Sequence, residues 1–187
     1  LNDNIDFFGE IGLPVAIIGK NKTPLTPYEG LKDELTPEEY FKYVCRLIDS
    51  PEDIRKVINE PFMKWKAGTP GDVISDQLND ADVTMASGGA DCDNISWVAK
   101  RLFEALACKN GFDYKARVIG VGEHAVCIYT DKDGKMYSID QIANIDSFTD
   151  IYQASEQFPE YRGERNPREI FLEHDGQVQL VLSLDPQ

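Results

Sequence analysis

The sequence predicts an α+β fold. Helical periodicity and helix caps dominate the stretch from Thr36 to Gly111, and strand patterns with hairpin turns dominate the chain beyond it. Helices first and strands afterwards is the order of segregated layers, not the alternation of a parallel α/β sheet. At 187 residues a single domain over 1–187 is expected. It divides into a loop-rich arm at 1–35, a central core at 86–141 and a C-terminal hairpin at 168–184.

Residues 1–35 are rich in Gly and Pro and hold one strand-like run, "LPVAIIG". The segment "TPEEYFKYVCRLIDS" reads as a helix. Thr36 is its N-cap, Pro37 its first residue and Glu39 the capping-box partner. Tyr40, Phe41, Val44, Leu47 and Ile48 form the apolar stripe, with Cys45 beside it. Ser50 opens a second helix by the same logic, with a break expected at Pro61. "VISDQLNDADVTMAS" is weakly patterned and reads as a short helix followed by a loop. The next helix begins at Cys92 and stacks Ile95, Val98, Ala99, Leu102, Phe103 and Leu106 on one stripe. Lys109 suits its C-terminal dipole and Gly111 is its natural stop.

From "YKARVIGV" through "EHAVCIYT" to "KMYSID" the pattern is β, with a hairpin turn at "DKDG". Residues 147–168 read as irregular or partly helical. "EIFLEHDGQVQLVLSL" forms a second hairpin around Asp175-Gly176.

The formal net charge of −14 argues against nucleic-acid or anionic-membrane partners, which need clustered Lys and Arg. No window is long and apolar enough to span a bilayer. The run Leu13 to Ile18 reads as a buried strand and not as a signal peptide, so a soluble chain is expected. The four cysteines show neither disulfide-scaffold nor zinc spacing, and Cys45, Cys108 and Cys127 read as reduced structural thiols. The acidic turns leave a calcium or other metal site as a rival. Against it, "DKDGKMYSID" lacks the third acidic ligand and the terminal Glu of a calcium loop.

Cys92 is the exception among the thiols, because it stands at a helix mouth, where free N–H groups and the dipole favour a thiolate. A base for it emerges from the hairpin. If the loop is Lys132-Asp133-Gly134 with Gly134 left-handed, Asp131 pairs with Lys135 and paired positions sum to 266. Asp140 then lies opposite Val126 and diagonal to His124, on the same face. A two-residue Asp-Gly loop would put them on opposite faces. Cys92, His124 and Asp140 thus become nucleophile, acid/base and orienter of a thiol acyl transfer, which needs no cofactor. Asp91 and Asp93 suit the helix dipole but oppose a thiolate. The backbone N–H of Cys92 is placed for an oxyanion, with Gln77, Asn79 and Trp65 as side-chain candidates for a second donor. Trp97 lies off the strict stripe, either lining a cleft or packing under the arm. Arg117 reads as an ion-pair residue and His174 as an exposed turn residue.

At these residues the chain resembles the transglutaminase-like superfamily of papain-like cysteine acyltransferases and proteases. The similarity covers residues 86–141: "GGADCDN" for the cysteine motif, "GFDYKARVIGV" with Arg117 for the next strand, "EHAVCIY" for His and "KMYSIDQ" for Asp. Ala90 stands where the family often has Gly, Asn94 replaces a second acidic residue, and Val126 stands at a common Trp position. The resemblance implies a papain-like core, with a helical lobe carrying the nucleophile packed on an antiparallel sheet. It implies a protein or peptide substrate and the activity of a cysteine peptidase, an amidase or a transglutaminase. The alternative is a non-catalytic transglutaminase-like binding or structural module.

Overall fold

The computed structural model describes residues 34–59, 63–66, 80–121, 124–141, 147, 168–172 and 178–183. The arm up to residue 33, with its strand-like run, lies outside them. So do His174, Gln77, Asn79 and nearly all of 147–168.

The fold mixes helices and sheet in the expected order. Helix α1 spans Pro37–Leu47, and its Thr36–Glu39 capping box is complete. Helix α2 spans Pro51–Ile58, with the Ser50 hydroxyl accepting from Asp53 N–H. It stops at Asn59, before Pro61, because its last buried residue is Ile58 and nothing beyond extends the stripe. Helix α3 is Ala81–Ser87, in the second half of the weakly patterned segment; residues 73–79 of that segment lie outside the described ones.

Two very short strands interrupt the helical half, β1 (Lys64–Trp65) and β2 (Gly89–Ala90), paired in parallel. The sequence holds no hint of them, since a two-residue strand has no period to read. Their approach is close: a Cβ on Gly89 would fall 2.2 Å from the Lys64 carbonyl oxygen, so only glycine fits there.

Helix α4, Cys92–Asn110, is the centre of the molecule. It touches α1, α2 and α3 as well as the sheet strands β3 (Arg117–Val121) and β4 (His124–Thr130). Leu102, Phe103 and Leu106 are fully buried, and Phe103 stacks on Tyr129 of β4 at 4.5 Å between centroids. Gly111, left-handed at φ 71°, ends the helix. Lys109 serves another helix: its ammonium donates to the carbonyls of Arg46 and Ile48 at the end of α1, at 2.9 and 3.0 Å.

Among the described residues the sheet has five antiparallel strands in the order β5 (Met136–Ile139), β4, β3, β6 (Arg168–Leu172), β7 (Val178–Ser183). β6 and β7 pair with Leu172 opposite Val178, the hairpin expected around Asp175-Gly176. In β4–β5, Cys127 faces Ile139 and Thr130 faces Met136, the 266 register. Gly134 is left-handed at φ 79°, and the Asp131 carboxylate accepts from the N–H groups of Asp133 and Lys135, both at 2.9 Å. That carboxylate is occupied in shaping a turn.

All four cysteines are free thiols. Cys45 and Cys127 are buried, as structural residues should be. Cys108 is exposed, which corrects its reading as a structural thiol: it sits one position past Ala107, on the water-facing side of the last turn of α4. Among the described residues no helix is long and apolar enough to cross a membrane.

Candidate active site

Cys92 is the first residue of α4, with Asp91 at the N-cap. His124 opens β4, and Asp140 comes directly after the last residue of β5. The structure brings all three together. His124 Nε2 hydrogen-bonds to Asp140 Oδ2 at 2.8 Å, with both residues buried. Cys92 is near enough to the same imidazole to raise its proton affinity. Since Nε2 is engaged by Asp140, Nδ1 is the nitrogen left to exchange a proton with sulfur.

Burial opposes a charged imidazole. The hydrogen bond to Asp140, the nearby Cys92 side chain and the attraction of the Asp140 carboxylate outweigh it and push the His124 pKa up to about 9. These contacts favour the imidazolium form of the ring. In that form it donates Nε2–H to Asp140 and has a proton to give on the sulfur side.

The strand faces divide as their parity requires. Cys127 and Tyr129 join the core against α4, while His124 lies on the alternate face with Val126 and Ile128, all buried. Cys92 packs with Trp97 against Val118 and Ala125, so α4 meets β3 and β4 close to His124. Trp97 is half-buried there, with the Lys100 ammonium over its ring at 4.8 Å. Arg117 opens β3 opposite Ile128.

A residue that sequence reasoning missed joins helix and strand. Ser96, one turn beyond Cys92 and almost wholly buried, donates its hydroxyl to the Ala125 carbonyl at 3.1 Å. A serine beside the apolar stripe four residues after the nucleophile was the available signal.

Asp91 and Asp93 are not simple caps. Asp91 holds the N-cap position but makes no side-chain cap hydrogen bond. Its carboxylate accepts from the Asn94 amide at 2.7 Å, and Asp93 accepts from the same amide at 3.3 Å. The two carboxyls are near enough for a hydrogen bond when one of them is protonated. Burial, that hydrogen bond and the charge of Asp91 push Asp93 up to about 7. Burial also works to raise Asp91, but hydrogen bonds from Asp93 and Asn94 prevail and hold it below the usual carboxylate range. Below neutral pH the pair shares a proton and carries one negative charge, which halves its opposition to a thiolate.

Of the candidate oxyanion donors, the described residues include Trp65. It is 54% exposed on β1 and pairs with Ala90, two residues before Cys92. Among the described residues no group of three or more His, Cys, Asp or Glu side chains is arranged to hold a metal ion.

No protein-family model matches this chain, and no curated protein matches it.

Proposed function

We propose that this protein is a thiol-dependent acyl-transfer enzyme acting on amide bonds, built on a papain-like, transglutaminase-like core. The observation that carries the reading is the convergence of Cys92 and Asp140 on one buried imidazole, His124. An imidazolium held between a carboxylate and a sulfur is the resting state that a cysteine nucleophile requires.

In the first half-reaction the Cys92 thiolate attacks the amide carbonyl carbon. The C–S bond forms and the carbonyl π electrons move to oxygen, where the backbone N–H of Cys92 at the start of α4 is positioned to stabilise them. Trp65 is the side-chain donor candidate on the strand next to the nucleophile's segment. As the intermediate collapses, the C–N bond breaks and His124 gives its proton to the departing amine, leaving a thioester on Cys92. In the second half, water or an amine attacks the thioester, His124 takes the incoming proton, and the thiolate leaves. Asp140 keeps the ring's Nε2 side bonded throughout. Water makes the enzyme a peptidase or amidase; an amine makes it a transglutaminase. The substrate is a protein or peptide.

The protein carries its own control for a first test. Cys108 is exposed and Cys92 only half-buried, so on access alone Cys108 should react first. Mass-spectrometric mapping after iodoacetamide treatment at pH 6 should show Cys92 modified at least ~10-fold faster, because an ordinary thiol is almost fully protonated there. Equal or slower modification of Cys92 would remove the basis for catalysis. Incubating unmodified protein with peptides, with and without a fluorescent primary amine, then separates hydrolysis from transamidation. Either product should vanish in Cys92→Ala.

A further inference from the structure

The β4–β5 ladder does not by itself fix Asp140. Its last paired residue is Ile139, opposite Cys127, and Asp140 stands one position beyond. The next side chain adds a tie at the strand end. The Gln141 amide Nε2 donates to the carbonyl of Ile58, and also to that of Met63 at 3.1 Å. The first acceptor is the last residue of α2, whose carbonyl has no partner within its own helix. The second lies immediately before β1. From there Lys64 N–H donates to Gly88 O at 3.0 Å and Lys66 N–H to Ala90 O at 2.8 Å, along the strand that leads into Cys92. One amide therefore ties the Asp140 end of the sheet to the ladder that carries the nucleophile.

We infer that Gln141 is a positioning residue: by bridging Ile58 and Met63 it fixes Asp140 against His124 and sets the sheet side of the triad in register with the Cys92 side. The inference rests on the proposed function for its meaning, but its geometry stands independently. Removing the bridge frees the Asp140 backbone to shift by the fraction of an ångström that lengthens its hydrogen bond to His124. The imidazole then loses the contact that keeps it charged.

The test uses Gln141→Glu, which keeps the length and shape but replaces the donor with an acceptor facing two carbonyls, and Gln141→Lys, which keeps a donor of similar reach. His124 is titrated by NMR in the full chain, where His174 is the only other histidine. In the unmodified protein His124 should titrate near 9. In Q141E it should move down toward the ordinary histidine value of about 6.5, and Cys92 alkylation at pH 6 should fall by about tenfold or more, while Cys108 alkylation is unchanged. Q141K should restore both. If Q141E is too unstable to titrate, Q141N, whose amide falls a methylene short, should show the same downward shift. A lowered melting temperature with His124 still near 9 and Cys92 still fast would overturn the inference, since a merely structural role predicts that pattern. Failure of the catalytic reading shows instead in the unmodified protein, as a Cys92 no faster than Cys108.

Discussion

His124 interacts with both Asp140 and Cys92, and both interactions favour its protonated form in a buried setting. Replacing Asp140 with alanine removes the hydrogen bond and the charge together and leaves desolvation unopposed on that side. Cys92 alkylation at pH 6 should then fall by about tenfold or more, the effect of a loss of one pKa unit or more at the imidazole. An unchanged rate would mean that Asp140 does not orient the ring. The Cys92, His124 and Asp140 set was legible because each residue has a local signature: a thiol at a helix start, a histidine at a strand start, and a hairpin whose turn fixes parity. The Asp91–Asp93 proton was not legible. It depends on both carboxyls converging on the Asn94 amide, a detail of side-chain rotamers that charge counting cannot supply.

Among the elements, those with strong local signals lie where the sequence puts them. The Thr36 capping box, the Gly111 stop and the left-handed Gly134 each arise from a few neighbouring residues. Elements defined by distant partners escaped. The β1–β2 pair joins residues about 25 apart, and Lys109 caps a helix more than sixty residues before it. Gly89 tests how much the short pair matters. In Gly89→Ala the new Cβ meets the Lys64 carbonyl at 2.2 Å, a backbone atom that cannot swing aside. The expected cost is about 1–3 kcal/mol, as for other overpacked sites, read as a melting temperature lower by several degrees. Because β2 leads directly into Cys92, alkylation of Cys92 should slow relative to Cys108 in the same variant. A variant as stable as the parent would show that β1 and β2 can separate without consequence.

Over the whole molecule, stability should depend on pH through the same groups that shape the site. Asp93 has a folded pKa of about 7 against an unfolded value near 3.9, so the folded state holds its proton more tightly. The stability this adds is fully present below about pH 4 and lost as pH rises through 7. His124, about 9 folded against roughly 6.5 unfolded, adds stability that is intact below about 6.5 and lost as pH rises through 9. Asp53 and Asp131, both held low by hydrogen bonds despite some desolvation, act in the opposite sense and lose their contributions as pH falls through the acid range. Denaturant unfolding from pH 4 to 10 should therefore show Asp93→Asn flattening the fall between 4 and 7, and Asp140→Ala flattening it between 6.5 and 9. Coincident curves for parent and variants would contradict both assignments. The order of helices and sheet was readable at this scale from periodicity alone. The Ser96–Ala125 contact between α4 and β4 was not, because the two residues touch across 29 positions with no pattern that links them.

The most direct measurement is the rate of Cys92 alkylation at pH 6 in the unmodified protein and in His124→Ala, with Cys108 in each sample as the internal reference. If the imidazolium of His124 sustains a reactive thiolate, Cys92 leads Cys108 at the start. The single substitution should then slow it by about 10²- to 10⁴-fold, the range of a positioned acid/base, or down to the Cys108 rate if that is reached first. A Cys92 rate that is the same with and without the imidazole would contradict the triad.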